Sequence, residues 1–124
     1  MQLITVPVTT DVSGDATVQI IGVSGSFLQL RYVPDGSNPL DTGADLDISG
    51  DKTGLVFVNH DDIGLTAFTR CYRQATHGTD GSASLFAAGG EPVEDYIIAH
   101  GENLTLTIAS GGASKSGTFY LWFD

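Results

Sequence analysis

The segment NLTLTIA, residues 103–109, decides the fold class, because its side chains alternate in character at every position. Leucine and isoleucine side chains point to one face and threonine side chains to the other, which is typical of a β-strand with one buried face. Residues 44–48 show the same pattern, with two aspartates on the polar face. In residues 27–33 the alternation places Leu28, Leu30 and Tyr32 on one face and Phe27 on the other.

Glycine and strand-forming residues organise the whole chain, since 16 of the 124 residues are glycine and they separate short apolar segments. No stretch of twelve or more residues has a 3.6-residue apolar period, and the best helix candidate is the short segment Ser82–Ala88. The sequence predicts a single all-β domain over residues 1–124, a β-sandwich or β-barrel of eight or nine mostly antiparallel strands with glycine-rich loops. The predicted strands are 2–8, 16–22, 27–33, 44–49, 54–59, 66–73, 94–100, 103–109 and 117–123.

Charge and composition exclude several kinds of partner. Fifteen acidic against five basic residues give a net charge of −10, which repels phosphate, so we expect neither nucleic acid nor an anionic membrane as a partner. No apolar run is long enough for a transmembrane helix, and the first residues lack the pattern of a signal peptide. The single cysteine, Cys71, has no partner for an internal disulfide, so we expect synthesis in a reducing cytoplasm and a buried structural thiol.

Catalytic signatures are missing from the sequence. The three histidines (His60, His77 and His100) accompany no Gly-x-Ser-x-Gly elbow, and the basic residues form neither a phosphate-binding loop nor a stripe. We therefore expect no enzymatic activity and no cofactor.

Clustered aspartates raise a calcium hypothesis. Calcium binds six to eight oxygen atoms, and four aspartates lie within eleven residues: Asp41, Asp45, Asp47 and Asp51. Their spacing does not match an EF-hand loop, and two of them fit the polar face of a strand. A solvated acidic rim that keeps the protein in solution is the interpretation we prefer, with no metal bound.

The last predicted strand has apolar or aromatic side chains on both faces. Such a strand is either central in a sandwich or covered by another subunit. The alternative is that Trp122 packs beneath a loop of its own chain. The interface candidates are Phe119, Tyr120, Leu121, Trp122, Phe123, Val6 and Val8.

Three segments carry a resemblance to a known group of proteins. The central one is RQATHGTDGSASLFAAGG at Arg73–Gly90; the others are TVPVTT at Thr5–Thr10 and Gly-Thr-Phe at 117–119. The chain resembles small virion structural proteins encoded in the structural gene clusters of tailed bacteriophages and prophages. It departs from that group at residues 120–123, which are more aromatic.

The resemblance implies a role in the virion. We expect a capsid decoration (cement) protein that binds the major capsid protein on the outside of the head and forms a homo-oligomer, with a trimer favoured. An extended amino-terminal arm, residues 1–10, would lie along the capsid by strand addition. The alternative is a tail-associated adaptor, or a fibre module that binds host glycan through Trp122, Tyr72 and Tyr96.

Overall fold

The computed structural model describes residues 1–124 as an all-β sandwich of nine strands without a helix. Short, glycine-punctuated segments of alternating character form these strands, as the sequence predicts. Their bounds are β1 Gln2–Thr9, β2 Ala16–Pro34, β3 Asp45–Gly50, β4 Val56–His60, β5 Phe68–Arg70, β6 Arg73–Ala75, β7 Glu94–Tyr96, β8 Ile98–Ala109 and β9 Ser116–Phe123.

Two sheets face each other and share one long strand. The front sheet has the order β1-β9-β2-β5 and uses the second half of β2. The back sheet has the order β2-β8-β3-β4 and uses the first half of β2. All of these pairings are antiparallel, and β1 and β4 remain at the ends of the strand path. The predicted sandwich is thus confirmed, and the barrel alternative is wrong.

Strand β2 passes from one sheet to the other by bending at irregularities in its pairing. Its register shifts after Ile20 against β8, and again between Phe27 and Gln29 against β9. Gly25 has a positive φ of 106°, and a Cβ there would lie 2.8 Å from the carbonyl oxygen of Asp124. The two strands predicted at 16–22 and 27–33 are therefore one bent strand. The predicted faces at its second bend were wrong, because Phe27 is buried in the core and Leu28 is not.

Other predicted boundaries also shift. The predicted strand 66–73 divides into β5 and β6, and 94–100 divides into β7 and the start of a continuous β8. The segment Ser82–Ala88 forms turns and isolated bridges instead of a helix. Its glycine neighbours and short length leave too few turns to nucleate a helix.

The core lies between the two sheets and is lined by the inward side chains of both. On β9 the inward residues are Gly117, Phe119, Leu121 and Phe123. Phe123 stacks on Phe27 with ring centroids 5.2 Å apart, and Phe119 stacks on Tyr32 at 4.9 Å. A side chain at 117 would collide with the Tyr32 ring, whose nearest atom lies 2.6 Å from the Cβ position. The inward face of β9 is thus filled by its own chain.

The hydroxyl group of Tyr32 is a buried polar atom without a hydrogen bond of good geometry, and the Leu40 backbone is its one candidate partner. Burial raises the pKa of Tyr32 above its usual value, and the nearby backbone of Leu40 opposes part of this shift. A buried hydroxyl without a partner destabilises the folded state, because its hydrogen bonds to water are lost on folding.

The amino-terminal segment is a strand of the front sheet, where an extended arm was expected at residues 1–10. Residues 2–9 pair with β9 along their whole length, and the side chains of Val6 and Val8 in this strand are buried in the core. The Thr10 amide donates to the Lys115 carbonyl oxygen at 2.8 Å. Because the N–H and C=O groups of every second residue in a strand point to the same side, the even-numbered residues of β1 bond to β9 and the odd-numbered ones point away from it. Pro7 then faces the free edge, where its missing N–H interrupts strand addition.

Candidate interaction surfaces

The outer face of the front sheet brings together side chains from four strands. Strand register aligns Leu3, Trp122 and Gln29 in one row, and Thr5, Tyr120, Arg31 and Thr69 in the next. A third row holds Pro7, Thr118 and Val33, and Thr9 lies beside Ser116 at the end. All twelve of these residues are exposed or half-buried. We call these residues the front face.

Only two of the seven interface candidates lie on the front face, and they are Tyr120 and Trp122. Their ring centroids are 6.4 Å apart at an angle of 32°, on the strand flanked by β1 and β2. The other five candidates point inward and are buried in the core: Val6, Val8, Phe119, Leu121 and Phe123. They are therefore not free to contact a partner.

None of the twelve residues of the front face is acidic, but an exposed aspartate adjoins each end of it: the Asp35 amide donates to the Ser116 carbonyl oxygen at 3.2 Å, and Asp124 follows Trp122. Its single charged residue is Arg31, which donates to the hydroxyl oxygen of Thr69 at 3.1 Å. The remaining residues are apolar, aromatic, hydroxyl or amide side chains. An aromatic centre with hydroxyl and amide neighbours is a composition found in protein interfaces.

The outer face of the back sheet is acidic by contrast. Asp47 is exposed there and lies between Thr107 and Asn59 in neighbouring strands. Asp45 accepts a hydrogen bond from the Asp62 amide at 3.1 Å, and Asp51 accepts one from the Thr105 hydroxyl.

The four aspartates of the calcium hypothesis do not converge. Asp41 lies in the loop after β2, where its amide donates to the Gly111 carbonyl oxygen at 2.9 Å. No group of three or more His, Cys, Asp or Glu side chains is arranged to hold a metal ion. Period-two alternation spreads the aspartates along an outward strand face and its flanking loops, which separates their carboxylates.

The second surface is a long excursion between β5 and β8, which we call the extension (residues 73–96). None of its residues is buried, whereas Ile97, directly after it, is 2% exposed. The extension includes the whole of Arg73–Gly90, the central one of the three segments that carry the phage resemblance. That segment therefore contributes nothing to the buried core of the sandwich.

Backbone hydrogen bonds within the extension give it a defined shape. Strands β6 and β7 pair at its base, and Arg73 lies over the Tyr96 ring at 4.2 Å. Further out, the Thr76, Ser84 and Val93 backbones bond to one another at 2.8 to 3.0 Å. The extension is thus an ordered feature.

The outer part of the extension is apolar. Residues 83–90 contain no charged side chain, and Phe86 is 78% exposed while Leu85 is 41% exposed. The Phe86 amide donates to the Glu91 carbonyl oxygen at 3.0 Å, which closes the turn that presents the aromatic ring. The stretch from Gln74 to Glu91 is small, polar and glycine-rich, and its sequence predicts a long loop that is functional or meets a partner. That prediction gave no indication of which residue the loop presents.

An aromatic cluster joins the extension to the sandwich. The Tyr72 ring stacks on Phe27 at 6.2 Å, and its hydroxyl shares a hydrogen bond with His60 Nδ1 at 2.8 Å. Burial raises the pKa of Tyr72 to about 12, and the charge of Arg70 opposes the shift. The adjacent Cys71 is exposed, so the expected buried thiol was wrong. Cys71 lies between β5 and β6, where the chain leaves the sandwich.

The aromatic residues of the glycan hypothesis are not gathered into one site. Tyr72 lies in the cluster just described and Tyr96 at the base of the extension, whereas Trp122 lies on the front face. The histidines are also distributed over different elements: His60 is in β4, His77 in the extension and His100 in β8.

Glu102 is a buried carboxylate to which the sequence alone assigns no role. It is 3% exposed, and it accepts hydrogen bonds from the Thr53 hydroxyl at 2.6 Å and from the Lys52 and Thr53 amides. The hydrogen bond from the Thr53 hydroxyl is the main reason that the pKa of Glu102 lies below its usual value. A Cβ at Gly50 would lie 2.7 Å from this carboxylate. The Glu102 carboxylate therefore fixes the β3–β4 turn by hydrogen bonds, and Gly50, which has no side chain, leaves room for that carboxylate.

Comparisons with known proteins assign neither a family nor a function to the chain. No helix is long and apolar enough to span a membrane. No protein-family model and no curated protein matches the chain. Two solved structures of exo-β-1,3-galactanase from Phanerochaete chrysosporium are similar to it, one with galactose and one of a variant with β-1,3-galactotriose. They share 11% and 12% identity at a TM-score of 0.35, over 98% of this chain and 27% of the galactanase chain. This similarity carries no argument about activity.

Proposed function

We propose that this protein is a structural component of a tailed-phage virion, a capsid decoration protein that attaches to the head through its extension. One observation carries the proposal. Arg73–Gly90, the central segment of the resemblance to phage virion proteins, lies in an ordered extension without buried residues and presents Phe86 at its outer part. Its sequence is therefore not explained by packing within the chain, and attachment to another protein accounts for it.

The chemistry of the extension fits insertion into an apolar pocket. Phe86 and Leu85 are surrounded by small residues, so a partner can approach the ring closely. Burying an exposed phenylalanine stabilises a complex by about 2 kcal/mol, or about 30-fold in Kd. Four acidic residues, Asp80, Glu91, Glu94 and Asp95, flank this apolar part. They favour a pocket with a basic rim.

Binding to isolated heads tests the proposal. Heads from a phage that lacks this gene are mixed with purified protein, and the bound protein is measured after sedimentation. We expect saturable binding at a copy number comparable to that of the major capsid protein. Phe86→Ser should raise the Kd about 30-fold.

A matched control distinguishes the loss of Phe86 from the loss of any exposed apolar side chain. Val12 is 85% exposed in the turn between β1 and β2, so Val12→Ser removes a similarly exposed apolar side chain from another place. We expect this variant to bind like the wild type. Equal binding by the wild type and Phe86→Ser would contradict attachment through the extension, and no binding to heads would contradict the decoration role.

A further inference from the structure

The front face carries a shallow pocket at one end, where β1, β9 and the end of β2 come together. The pocket has a volume of about 280 Å³, and its lining includes Pro7, Thr9, Val33, Asp35, Ser116 and Thr118. We infer that this pocket and the neighbouring rings of Tyr120 and Trp122 bind a neutral oligosaccharide. The site shares no residue with the extension, so the inference does not depend on the proposed attachment to a capsid.

The pocket offers both acceptors and donors to the hydroxyl groups of a sugar. Asp35 Oδ2 accepts hydrogen bonds from the Ser37 and Asn38 amides at 3.1 and 2.8 Å, whereas Asp35 Oδ1 accepts none from the chain. Because Asp35 is exposed, this second oxygen is open to a ligand. The Thr9 and Ser116 hydroxyl oxygens lie 3.0 Å apart, so one hydroxyl donates to the other and the second keeps its proton for a ligand. A sugar hydroxyl both donates and accepts, and it therefore matches this mixed set.

The outward side chains of β9 continue from the pocket as a strip. Thr118, Tyr120 and Trp122 follow one another at every second residue, about 7 Å apart along the strand. The two rings are half-buried, and their centroids are 6.4 Å apart. The C–H groups of a pyranose ring form an apolar face that packs on an aromatic ring, while the hydroxyl groups at its edge stay free for hydrogen bonds. Of the three aromatic residues considered for glycan binding from the sequence, only Trp122 belongs to this strip.

Charge favours a ligand without net charge. The net charge of −10 and the exposed Asp35 at the pocket repel sulfate, phosphate and sialic acid groups. Arg31 lies opposite Tyr120 in the middle of the face and repels a cationic ligand there. A protein that covers the whole face also takes water from Asp35 and Asp124 at its two ends, which costs free energy unless each gains a basic partner. A neutral, hydroxyl-rich ligand meets none of these costs.

Fluorescence of the full chain measures binding directly, because Trp122 is the only tryptophan and lies in the proposed site. The probe is a panel of neutral oligosaccharides of glucose, galactose, mannose and N-acetylglucosamine, each with a sulfated or sialylated counterpart. We expect a saturable change in Trp122 emission with at least one neutral member, and about tenfold weaker binding of its charged counterpart. The Kd should be about 1 mM, because a shallow site leaves much of the ligand in water.

Two pairs of variants test the two halves of the site. Tyr120→Ala removes a ring from the strip, and Tyr96→Ala removes an exposed ring from the base of the extension. Asp35→Asn removes a charge but keeps an oxygen for the turn amides, and Asp80→Asn makes the same change in the extension, where Asp80 accepts a hydrogen bond from the Ser82 amide.

Only the front-face member of each pair should weaken binding. We expect Tyr120→Ala to raise the Kd about tenfold and Asp35→Asn about fivefold, while the two control variants bind like the wild type. Isothermal titration calorimetry gives the Kd of each variant without relying on Trp122 emission. Melting temperatures establish that all four variants are folded.

Several results would overturn the inference. A wild type that binds no neutral member at millimolar concentration has no oligosaccharide site. Tighter binding of the charged counterparts would contradict the argument from charge. Equal effects within both pairs of variants would show that the ligand binds outside the front face. Trp122 emission that changes with protein concentration alone, and not with added oligosaccharide, would assign the face to a second copy of the chain.

Discussion

Removing the Tyr32 hydroxyl should stabilise this protein, which is the opposite of the usual effect of a core substitution. The hydroxyl is buried without a hydrogen bond of good geometry, while the ring packs on Phe119 at 4.9 Å and on Phe68 at 5.7 Å. Tyr32→Phe keeps both ring contacts and removes only the unpaired oxygen. An unpaired buried hydroxyl costs about 1–3 kcal/mol, and the small void left by the oxygen offsets part of the gain.

The net effect is an increase in the free energy of unfolding of about 1 kcal/mol. For a chain of 124 residues this corresponds to a rise in Tm of about 4 °C. Differential scanning calorimetry and urea denaturation of the purified variant measure both quantities. The m-value should stay unchanged, because the surface exposed on unfolding is the same.

Tyr72→Phe is the matched control, and its effect has the opposite sign. The Tyr72 hydroxyl shares a hydrogen bond with His60 Nδ1 at 2.8 Å, so its removal should destabilise the protein by about 1 kcal/mol. Destabilisation by Tyr32→Phe of a similar size would refute the reasoning. It would show that the Tyr32 hydroxyl is hydrogen-bonded, with the nearby Leu40 backbone as its partner.

Further predictions concern Glu102, its glycine neighbour, the thiol and the metal hypothesis. The lowered pKa of Glu102 contributes stability above the unfolded-state value of about 4.5, and this contribution is lost as the pH falls through the lower folded-state pKa. Between pH 5 and pH 2, the melting temperature measured by circular dichroism should therefore fall less for Glu102→Gln than for the wild type. Parallel curves would show that Glu102 does not cause the loss of stability in acid, and would leave Asp35 and Asp80, whose pKa values are also lowered. Gly50→Ala should lower the free energy of unfolding by about 1–3 kcal/mol, because its Cβ meets the Glu102 carboxylate, and an unchanged urea midpoint would contradict this. Cys71 should react with a thiol reagent at a rate that denaturant changes little, whereas protection in the native state would contradict its exposure. EDTA should leave the melting temperature unchanged, and a fall of several degrees would restore the calcium hypothesis.

Local alternation was enough to predict most strands and the faces of several. In residues 103–109 and on β9, every second side chain is buried, as a two-residue period requires. The sequence also placed the aspartates of β3 on an outward face. These features depend on residues next to one another in the chain, which is why a single sequence reveals them.

Features that depend on distant pairing could not be predicted. The bend of β2 arises where its partner changes from β8 to β9, and no local signal separates that bend from a turn between two strands. The two faces of β9 look equally apolar in sequence, and only the opposing back sheet determines that Phe119 is core while Tyr120 is outside. The turn held by Glu102 joins residues about fifty positions apart.

The candidate surfaces were predicted in part. The sequence indicated a functional loop from Gln74 to Glu91 and an interface on the last strand. It could not show that Phe86 is presented to solvent, because a short apolar run beside glycines is equally consistent with a buried turn. It also could not show which side chains share the front face, since that requires the register of four strands.

The central claim is that this chain is a decoration protein of a phage head. Antibody-gold labelling of intact virions in the electron microscope, with copy number measured from a stained gel, tests it most directly. The account predicts label spread over the heads at a copy number comparable to that of the major capsid protein. Label confined to the tail, at a few copies per particle, would contradict it and favour the adaptor or receptor-binding alternative.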